Sequence, residues 1–101
     1  MDVTVTVEGS NVRVSPVGEL DAHNCGELGE ALRTAAEDTS GADAVVDASQ
    51  LSFIDSSAIS ELLRLREELA AEGGSLKLVD VQPSVRRVLE ITGLLDTFGV
   101  S

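Results

Sequence analysis

The sequence contains no tryptophan or tyrosine, two phenylalanines, one histidine and one cysteine in 101 residues. Proteins that bind single-stranded nucleic acid stack its bases on aromatic side chains, and this sequence has almost none of these side chains. Cys25 cannot form an internal disulfide, and one cysteine with one histidine is a poor set of metal ligands. No apolar run approaches the roughly 20 residues of a membrane span, and the N-terminal residues lack the regions of a signal peptide. These absences predict a soluble, cytoplasmic protein without metal, cofactor or membrane insertion.

Positive charge is also scarce. Lysine and arginine total 7 against 18 aspartates and glutamates, which gives a net charge of −11. Such a chain repels phosphate backbones and anionic membranes, so direct nucleic-acid binding is excluded. Residues 1–50 carry 2 basic and 10 acidic side chains, whereas residues 51–101 carry 5 and 8. A basic partner is therefore expected to bind the surface formed by the first half of the chain. The alternative interpretation is that these acidic side chains are only solvated and bind no partner.

The length predicts one compact domain over residues 1–101, with a single core. Valines alternate with threonines over residues 3–7, which is typical of a strand with one buried face. A turn at 8–11 and resumed alternation after it predict a β-hairpin. Pro16 cannot donate to a strand ladder, so it marks a bulge, an edge or a change of pairing partner.

The next segments predict a helix, a strand and a link. Asn24 and Glu27 have the spacing of a capping box, and Thr39-Ser40-Gly41 predicts the end of the first helix. The apolar stripe of this helix comprises Cys25, Leu28, Ala31, Leu32 and Ala35. The run 44–48 suits a strand covered on both faces, and 51–54 reads as a short apolar link.

A second helix is predicted after Asp55-Ser56-Ser57, which are residue types that cap helices, and Gly73-Gly74 ends it. Its apolar stripe comprises Ile59, Leu62, Leu63 and Leu69. A strand at 76–79 follows. A third helix begins near Pro83, because proline suits the first helical position, and it ends at Gly93.

The tail over 94–100 is predicted to form a helical turn followed by an edge strand at 97–100. The element order is therefore ββαβαβα. Helices between strands force crossover connections, so the later strands are expected to be parallel and the opening hairpin antiparallel. The predicted fold class is α/β: a small mixed β-sheet, an opening hairpin and then parallel strands, with helices packed on it.

The candidate site is the strand-to-helix junction Phe53-Ile54-Asp55-Ser56-Ser57-Ala58-Ile59, which carries two hydroxyls and a carboxylate. Free N–H groups and the dipole at a helix start favour an added anion, so the fold tolerates a phosphate on either serine. That phosphate would add about −1.5 to −2 charge beside Asp55 at neutral pH. The alternative interpretation is that both serines only cap the helix.

Signals for catalysis are weaker. The Gly-x-Ser-x-Gly elbow of hydrolases and the phosphate-binding P-loop are both absent. His23 precedes the first helix on its polar edge and is expected to be exposed. Cys25 is expected to be a buried thiol on the apolar stripe, with a regulatory intermolecular disulfide as the alternative. No enzyme activity is predicted.

Several short segments form a further pattern. They are Gly18-Glu19-Leu20-Asp21, Val45-Val46-Asp47, Leu51 to Ser57, Glu72-Gly73-Gly74, Pro83 to Leu89 and Thr92-Gly93-Leu94. In this order and at these separations, the chain resembles the STAS domain of bacterial anti-sigma factor antagonists over essentially its full length. The resemblance supports the α/β fold described above.

The resemblance implies a partner switch. An antagonist of this family binds an anti-sigma factor, usually a serine kinase, and so frees the sigma factor. The kinase phosphorylates the antagonist on the serine that follows the aspartate, and a phosphatase reverses this. By position that serine is Ser56, with Asp21, Asp55 and Ser57 supporting the contact with the partner. Ala58 stands where the family often has glycine.

Two other functions stay open at this point. One is a STAS module that serves as a scaffold of a stress-signalling complex or as the small partner of a lipid-transport ATPase. The other is a small serine hydrolase with Ser56 as its nucleophile. Sizing and pull-down experiments separate the first from an antagonist, and ester turnover lost in Ser56→Ala would identify the second.

Overall fold

The computed structural model describes residues 2–37, 39 and 41–100. The elements are β1 (Asp2–Glu8), β2 (Asn11–Leu20), α1 (Cys25–Ala36), β3 (Asp43–Asp47), β4 (Leu51–Ile54), α2 (Ser56–Ala71), β5 (Ser75–Val79) and α3 (Pro83–Ile91). The order is ββαββαβα, so the predicted order is correct except for one additional strand, β4. No helix in the described part of the chain is both long and apolar enough to cross a membrane.

The strands form the predicted mixed sheet. β1 and β2 form an antiparallel hairpin, with Asp2 opposite Val17 and Glu8 opposite Asn11. β3 lies parallel to β2, and β5 lies parallel to β3, which gives the order β1-β2-β3-β5. In β3, Ala44 is buried whereas Val45 is only half-buried, so the prediction of a strand covered on both faces holds for one face.

Pro16 lies where β2 changes its parallel partner. Residues 11–14 of β2 pair with β3, and residues 18–20 pair with β4. Pro16 stands between these two ladders, which confirms the expected change of pairing. The register also shifts between Gly18 and Glu19, where Gly18 adopts a positive φ of 99°. The prediction that 51–54 is a link is wrong, because this segment is β4.

The helices bury most of their predicted stripes. The stripe residues that stay half-buried are Cys25, Ala31, Ala35, Leu63 and Val88. α1 and α2 contact each other, α1 also contacts β1 and β2, α2 contacts β5, and α3 contacts β4. The fully or almost fully buried helical side chains are Leu28 and Leu32 of α1, Ala58, Ile59, Leu62, Leu65 and Leu69 of α2, and Val85 and Leu89 of α3. Leu65 extends the stripe that the sequence predicted for α2. Together with the strand side chains that they cover, these residues form one core.

The helix ends agree with the glycine and proline signals. α2 closes with Gly73 at a φ of 86° and with the Gly74 N–H donating to the Leu69 carbonyl at 2.8 Å. This is the left-handed ending that glycine favours. Pro83 opens α3 as predicted. α1 ends at Ala36, earlier than predicted, and Ser40 of the predicted stop lies outside the described residues.

Of the two elements predicted for the C-terminal tail, one is confirmed and the other is wrong. A helical turn is present, since the Phe98 N–H donates to the Leu94 carbonyl at 3.2 Å. The expected edge strand at 97–100 is absent, and residues 95–99 form turns. The Phe98 carbonyl nevertheless accepts one bond from the Leu78 N–H of β5, at 2.9 Å. The fully buried Phe98 ring explains the difference, because this residue anchors the tail through its side chain.

One arginine joins the two long helices. The Arg33 guanidinium donates to both carboxylate oxygens of Glu68, at 3.0 and 2.8 Å, and to Glu61 at 3.2 Å. The side-chain hydrogen bond to Glu68 is the largest cause of a raised pKa for Arg33, and the same bond lowers the pKa of Glu68. This bidentate pair holds α1 against α2 near the protein surface.

Asp47 at the end of β3 makes stability depend on pH. Its carboxylate accepts from the Ser49 N–H at 3.0 Å and from Arg13 at 3.0 Å. The Ser49 backbone bond is the largest cause of a lowered pKa for Asp47. The stabilisation is therefore complete above the ordinary aspartate range, near pH 4, and is lost as the pH falls through the folded-state pKa.

We expect Asp47→Asn to be less stable than the parent at neutral pH and to lose less stability on acidification. Urea unfolding at neutral pH and at about pH 3 measures both effects. Asp96→Asn, at an exposed carboxylate in the tail, serves as the control and should keep the parent's pH dependence. An equal pH dependence in the Asp47 variant and the parent would contradict this assignment.

Candidate functional site

Asp55 connects β4 to α2 and caps the helix. Its backbone is extended, and its Oδ1 accepts from the Ala58 N–H at 2.9 Å. A carboxylate in this position satisfies one of the unpaired N–H groups of the first turn. Its negative charge also interacts favourably with the positive end of the helix dipole. The predicted junction is confirmed, but the cap is Asp55. The alternative in which Ser56 and Ser57 are the caps is therefore wrong.

Ser56 and Ser57 are the first two residues of α2, and both are exposed. Within residues 2–37, 39 and 41–100, no hydrogen bond engages either hydroxyl. Because Asp55 does the capping, these hydroxyls are available to another molecule. Their backbone N–H groups lie at the start of a 16-residue helix, where an anion is electrostatically favoured.

The second oxygen of Asp55 reaches across to the loop between β2 and α1. It accepts from the Ala22 N–H at 3.1 Å. The Asp55 N–H donates in turn to the Leu20 carbonyl at 3.2 Å. One residue thus fastens the end of β2, the following loop and the N-terminus of α2 to each other.

The Asp21–Asn24 loop, residues 21–24, is held by its own side chains. Asp21 Oδ1 accepts from the N–H groups of His23 and Asn24, at 2.9 and 3.3 Å. Asn24 Oδ1 accepts from the Asp21 N–H at 2.8 Å, and its amide donates to the Glu19 carbonyl at 2.7 Å. The structure thus brings the Asp21–Asn24 loop next to Asp55. This proximity is what the prediction of one site containing both aspartates requires.

The capping box predicted from Asn24 and Glu27 is wrong. Asn24 is the N-cap residue of α1, but its side chain makes no capping bond. The Asn24 amide instead bonds backbone groups that precede it in the chain. Asparagine bonds neighbouring backbone equally well in either direction, so the spacing alone could not distinguish the two arrangements.

Comparison with known families decides the relationship. A family model described as "STAS domain" matches residues 2–101. The chain belongs to the STAS domain family. Over 101 residues it is 30% identical to a Bacillus subtilis (strain 168) protein named "Anti-sigma-B factor antagonist", a match that covers all of this chain and 91% of that protein.

Solved structures agree with the fold of this STAS domain. The anti-sigma factor antagonist SpoIIAA in its unphosphorylated form matches with a TM-score of 0.79 and 29% identity, over 92% of this chain and 82% of that chain. The Bacillus cell fate determinant SpoIIAA in its phosphorylated form matches with a TM-score of 0.73 and 26% identity, over 96% and 87%. The same fold therefore exists in both forms of that relative.

Ala58 of this STAS domain lies inside the protein. It is fully buried, and its N–H donates to the capping Asp55. Its methyl group therefore faces the core, so an alanine at this position leaves the exposed surface of the site unchanged. Ala58 therefore contributes to binding only indirectly, because its N–H and its buried methyl group stabilise the first turn of α2.

Cys25 lies at the start of α1 and is half-buried against the core. Burial is the largest cause of a raised pKa for this thiol, and the charges of Glu61 and Asp55 act in the same direction. The thiol is therefore protonated near neutral pH, which makes it a poor nucleophile. The prediction of a buried thiol is therefore wrong in degree, because Cys25 packs against the core but is only half-buried.

Phe53 belongs to the predicted junction segment, although sequence reasoning assigned no role to its ring. It lies on β4, two residues before Asp55, and is 45% exposed. Aromatic residues are enriched in protein-binding surfaces, so an exposed ring at this position favours contact with a partner. The sequence of residues 51–54 does not predict that the Phe53 ring faces outward, because four residues are too few to show an alternation. Among the described residues, no cluster of His, Cys, Asp and Glu could hold a metal ion.

Proposed function

We propose that this STAS domain is an anti-sigma factor antagonist, which binds an anti-sigma factor of the serine-kinase type and thereby frees a sigma factor. The observation that carries the proposal is the exposed Ser56 hydroxyl directly after the capping Asp55. The full-length similarity to a protein named as an antagonist of this kind supports it. In this scheme the domain acts by binding and catalyses no reaction.

The binding surface in this proposal combines two parts. The N-terminus of α2 contributes Ser56 and Ser57, and the Asp21–Asn24 loop lies beside it. Asp55 fastens the two parts through its bond to the Ala22 N–H. Because the loop is already ordered by its own hydrogen bonds, little conformational entropy is lost when the partner binds.

Phosphorylation of Ser56 switches this surface off. The phosphate would lie at the first position of α2, where the helix dipole favours a negative charge, so the fold persists. It would also place about −1.5 to −2 charge beside Asp55. A partner surface that fits the neutral hydroxyl then meets added bulk and like charge. A phosphatase restores the binding form.

A serine hydrolase receives no support from the geometry. A nucleophilic serine requires a base within hydrogen-bond reach. His23 is the sole histidine, and it is exposed on the loop, where its backbone N–H donates to Asp21. No interaction within the described residues joins its ring to Ser56.

Incubation with the cognate serine kinase and ATP is expected to place one phosphate on Ser56. Intact-mass and peptide mass spectrometry measure the modification. Ser56→Ala should abolish it. Ser57→Ala removes the neighbouring exposed hydroxyl and should leave the modification in place. Phosphate found on Ser57, or on Ser56→Ala protein, would overturn the assignment.

A further inference from the structure

β1 lies at the edge of the sheet. The strand order is β1-β2-β3-β5, and within the described residues β1 pairs with β2 alone. Along its seven residues, one row of N–H and carbonyl groups therefore faces away from the sheet. Such an edge is a template for another extended strand.

An apolar groove runs beside this edge. Val5 and Val7 pair with the buried Val14 and Val12 of β2 and therefore share their face of the sheet. They nevertheless remain 39% and 48% exposed, so the prediction that β1 has one buried face is wrong at these two positions. The groove between β1 and α1 has a volume of about 520 Å³ and is lined by Val5, Val7, Glu27, Glu30, Ala31, Thr34 and Ala35.

Acidic side chains frame this surface. Asp2 and Glu8 stand at the two ends of β1, and both are exposed. Glu30 is exposed on the α1 side of the groove. No basic residue is among the described residues that line it. A second copy of this chain is a poor occupant, because antiparallel pairing of two β1 strands would set Asp2 against Glu8 at both ends.

We propose that β1 and the adjoining groove bind an extended, basic-flanked segment of a partner protein by strand addition. The backbone of that segment would pair with the open edge of β1. Its alternate apolar side chains would continue the row of Val5 and Val7 into the groove. Its lysines or arginines would meet Asp2, Glu8 and Glu30. This surface is separate from Ser56 and goes beyond the proposed antagonist function.

The probe is a dye-labelled synthetic peptide of about nine residues, with alternating valine and threonine at its centre and lysines at both ends. We expect saturable binding by fluorescence anisotropy, weakening as salt is added. Replacing the terminal lysines by glutamates should weaken binding by about tenfold or more. N-methylation of the backbone groups that face β1 should have a similar effect, since strand addition requires those groups.

Two variants of β1 separate the groove from general charge effects. Val7→Lys places a charge in the groove, whereas Thr6→Lys adds the same charge to the opposite face of the same strand. We expect Val7→Lys to lose about tenfold or more in affinity and Thr6→Lys to stay within about threefold of the parent. Circular dichroism checks that both variants remain folded.

Four results would overturn the proposal. They are equal affinity for the lysine and glutamate peptides, equal losses in the two variants, no saturable binding up to about 1 mM peptide, and self-association through β1 that the peptide does not displace. The last would identify a second copy as the occupant. Ser56→Asp protein should bind the peptide like the parent, so failure here is distinguishable from failure of the antagonist proposal.

Discussion

Ser56→Asp is expected to weaken binding to the cognate anti-sigma factor by about a hundredfold, which corresponds to about 2.7 kcal/mol. The new carboxylate would lie beside Asp55, whose two oxygens already accept from Ala58 and Ala22 and are held in place. The added charge therefore meets the partner surface without a compensating bond. Titration calorimetry with the purified anti-sigma factor measures the change.

The loss would not come from unfolding. Ser56 is exposed at the first position of α2, where a carboxylate is favoured by the helix dipole. Ser10→Asp makes the same change in the turn between β1 and β2, at the far end of β2 from the Asp21–Asn24 loop. It should bind like the parent. Equal affinity of Ser56→Asp and Ser10→Asp would remove the switch from the mechanism.

Gly74→Ala is expected to lower the free energy of unfolding by about 3 kcal/mol or more, or to prevent folding. A Cβ at this position would fall on the backbone carbonyl oxygen of Ala42, with Gly41 also in close contact. That carbonyl accepts from the Ser75 N–H at 3.1 Å, at the start of β5. Neither backbone segment can move away without breaking the entry of β5 into the sheet.

Gly73→Ala provides the matched control. Gly73 has a φ of 86°, and an added Cβ would meet no atom within 4 Å. Its cost is limited to the strain of a left-handed conformation, about 1–2 kcal/mol. Urea unfolding of both variants measures the difference. A loss in Gly73→Ala as large as that in Gly74→Ala would contradict the proposed clash.

Local patterns predicted most of the elements correctly. The alternating valines of β1 and the apolar stripes of α1, α2 and α3 repeat over enough residues to show their period. The glycine and proline signals at Gly73 and Pro83 depend on the backbone conformation of single residues, which makes them readable without a structure.

Two errors, at β4 and in the tail, occur where the partner is distant in the chain. β4 has only four residues and pairs with β2, more than thirty positions earlier. The tail at 97–100 showed the composition of a strand, but the burial of Phe98 determined its path. In both cases a contact between distant segments outweighed a short local pattern.

The same division applies to the candidate site. By itself, the sequence determined the fold class and the resemblance to the STAS family, because these depend on residue types at fixed spacings. Ser56 as the modified residue stays a prediction from its position in that pattern. Only the tertiary structure decided that Asp55 is the cap, that it holds the Asp21–Asn24 loop through Ala22, and that Val5 and Val7 remain open beside α1. The Ala22 bond and the open groove arise from packing between segments that are far apart in the chain, and no local periodicity records them. The choice of cap is a local contact over three residues, but Asp55, Ser56 and Ser57 are all capping residue types, so composition alone could not select among them.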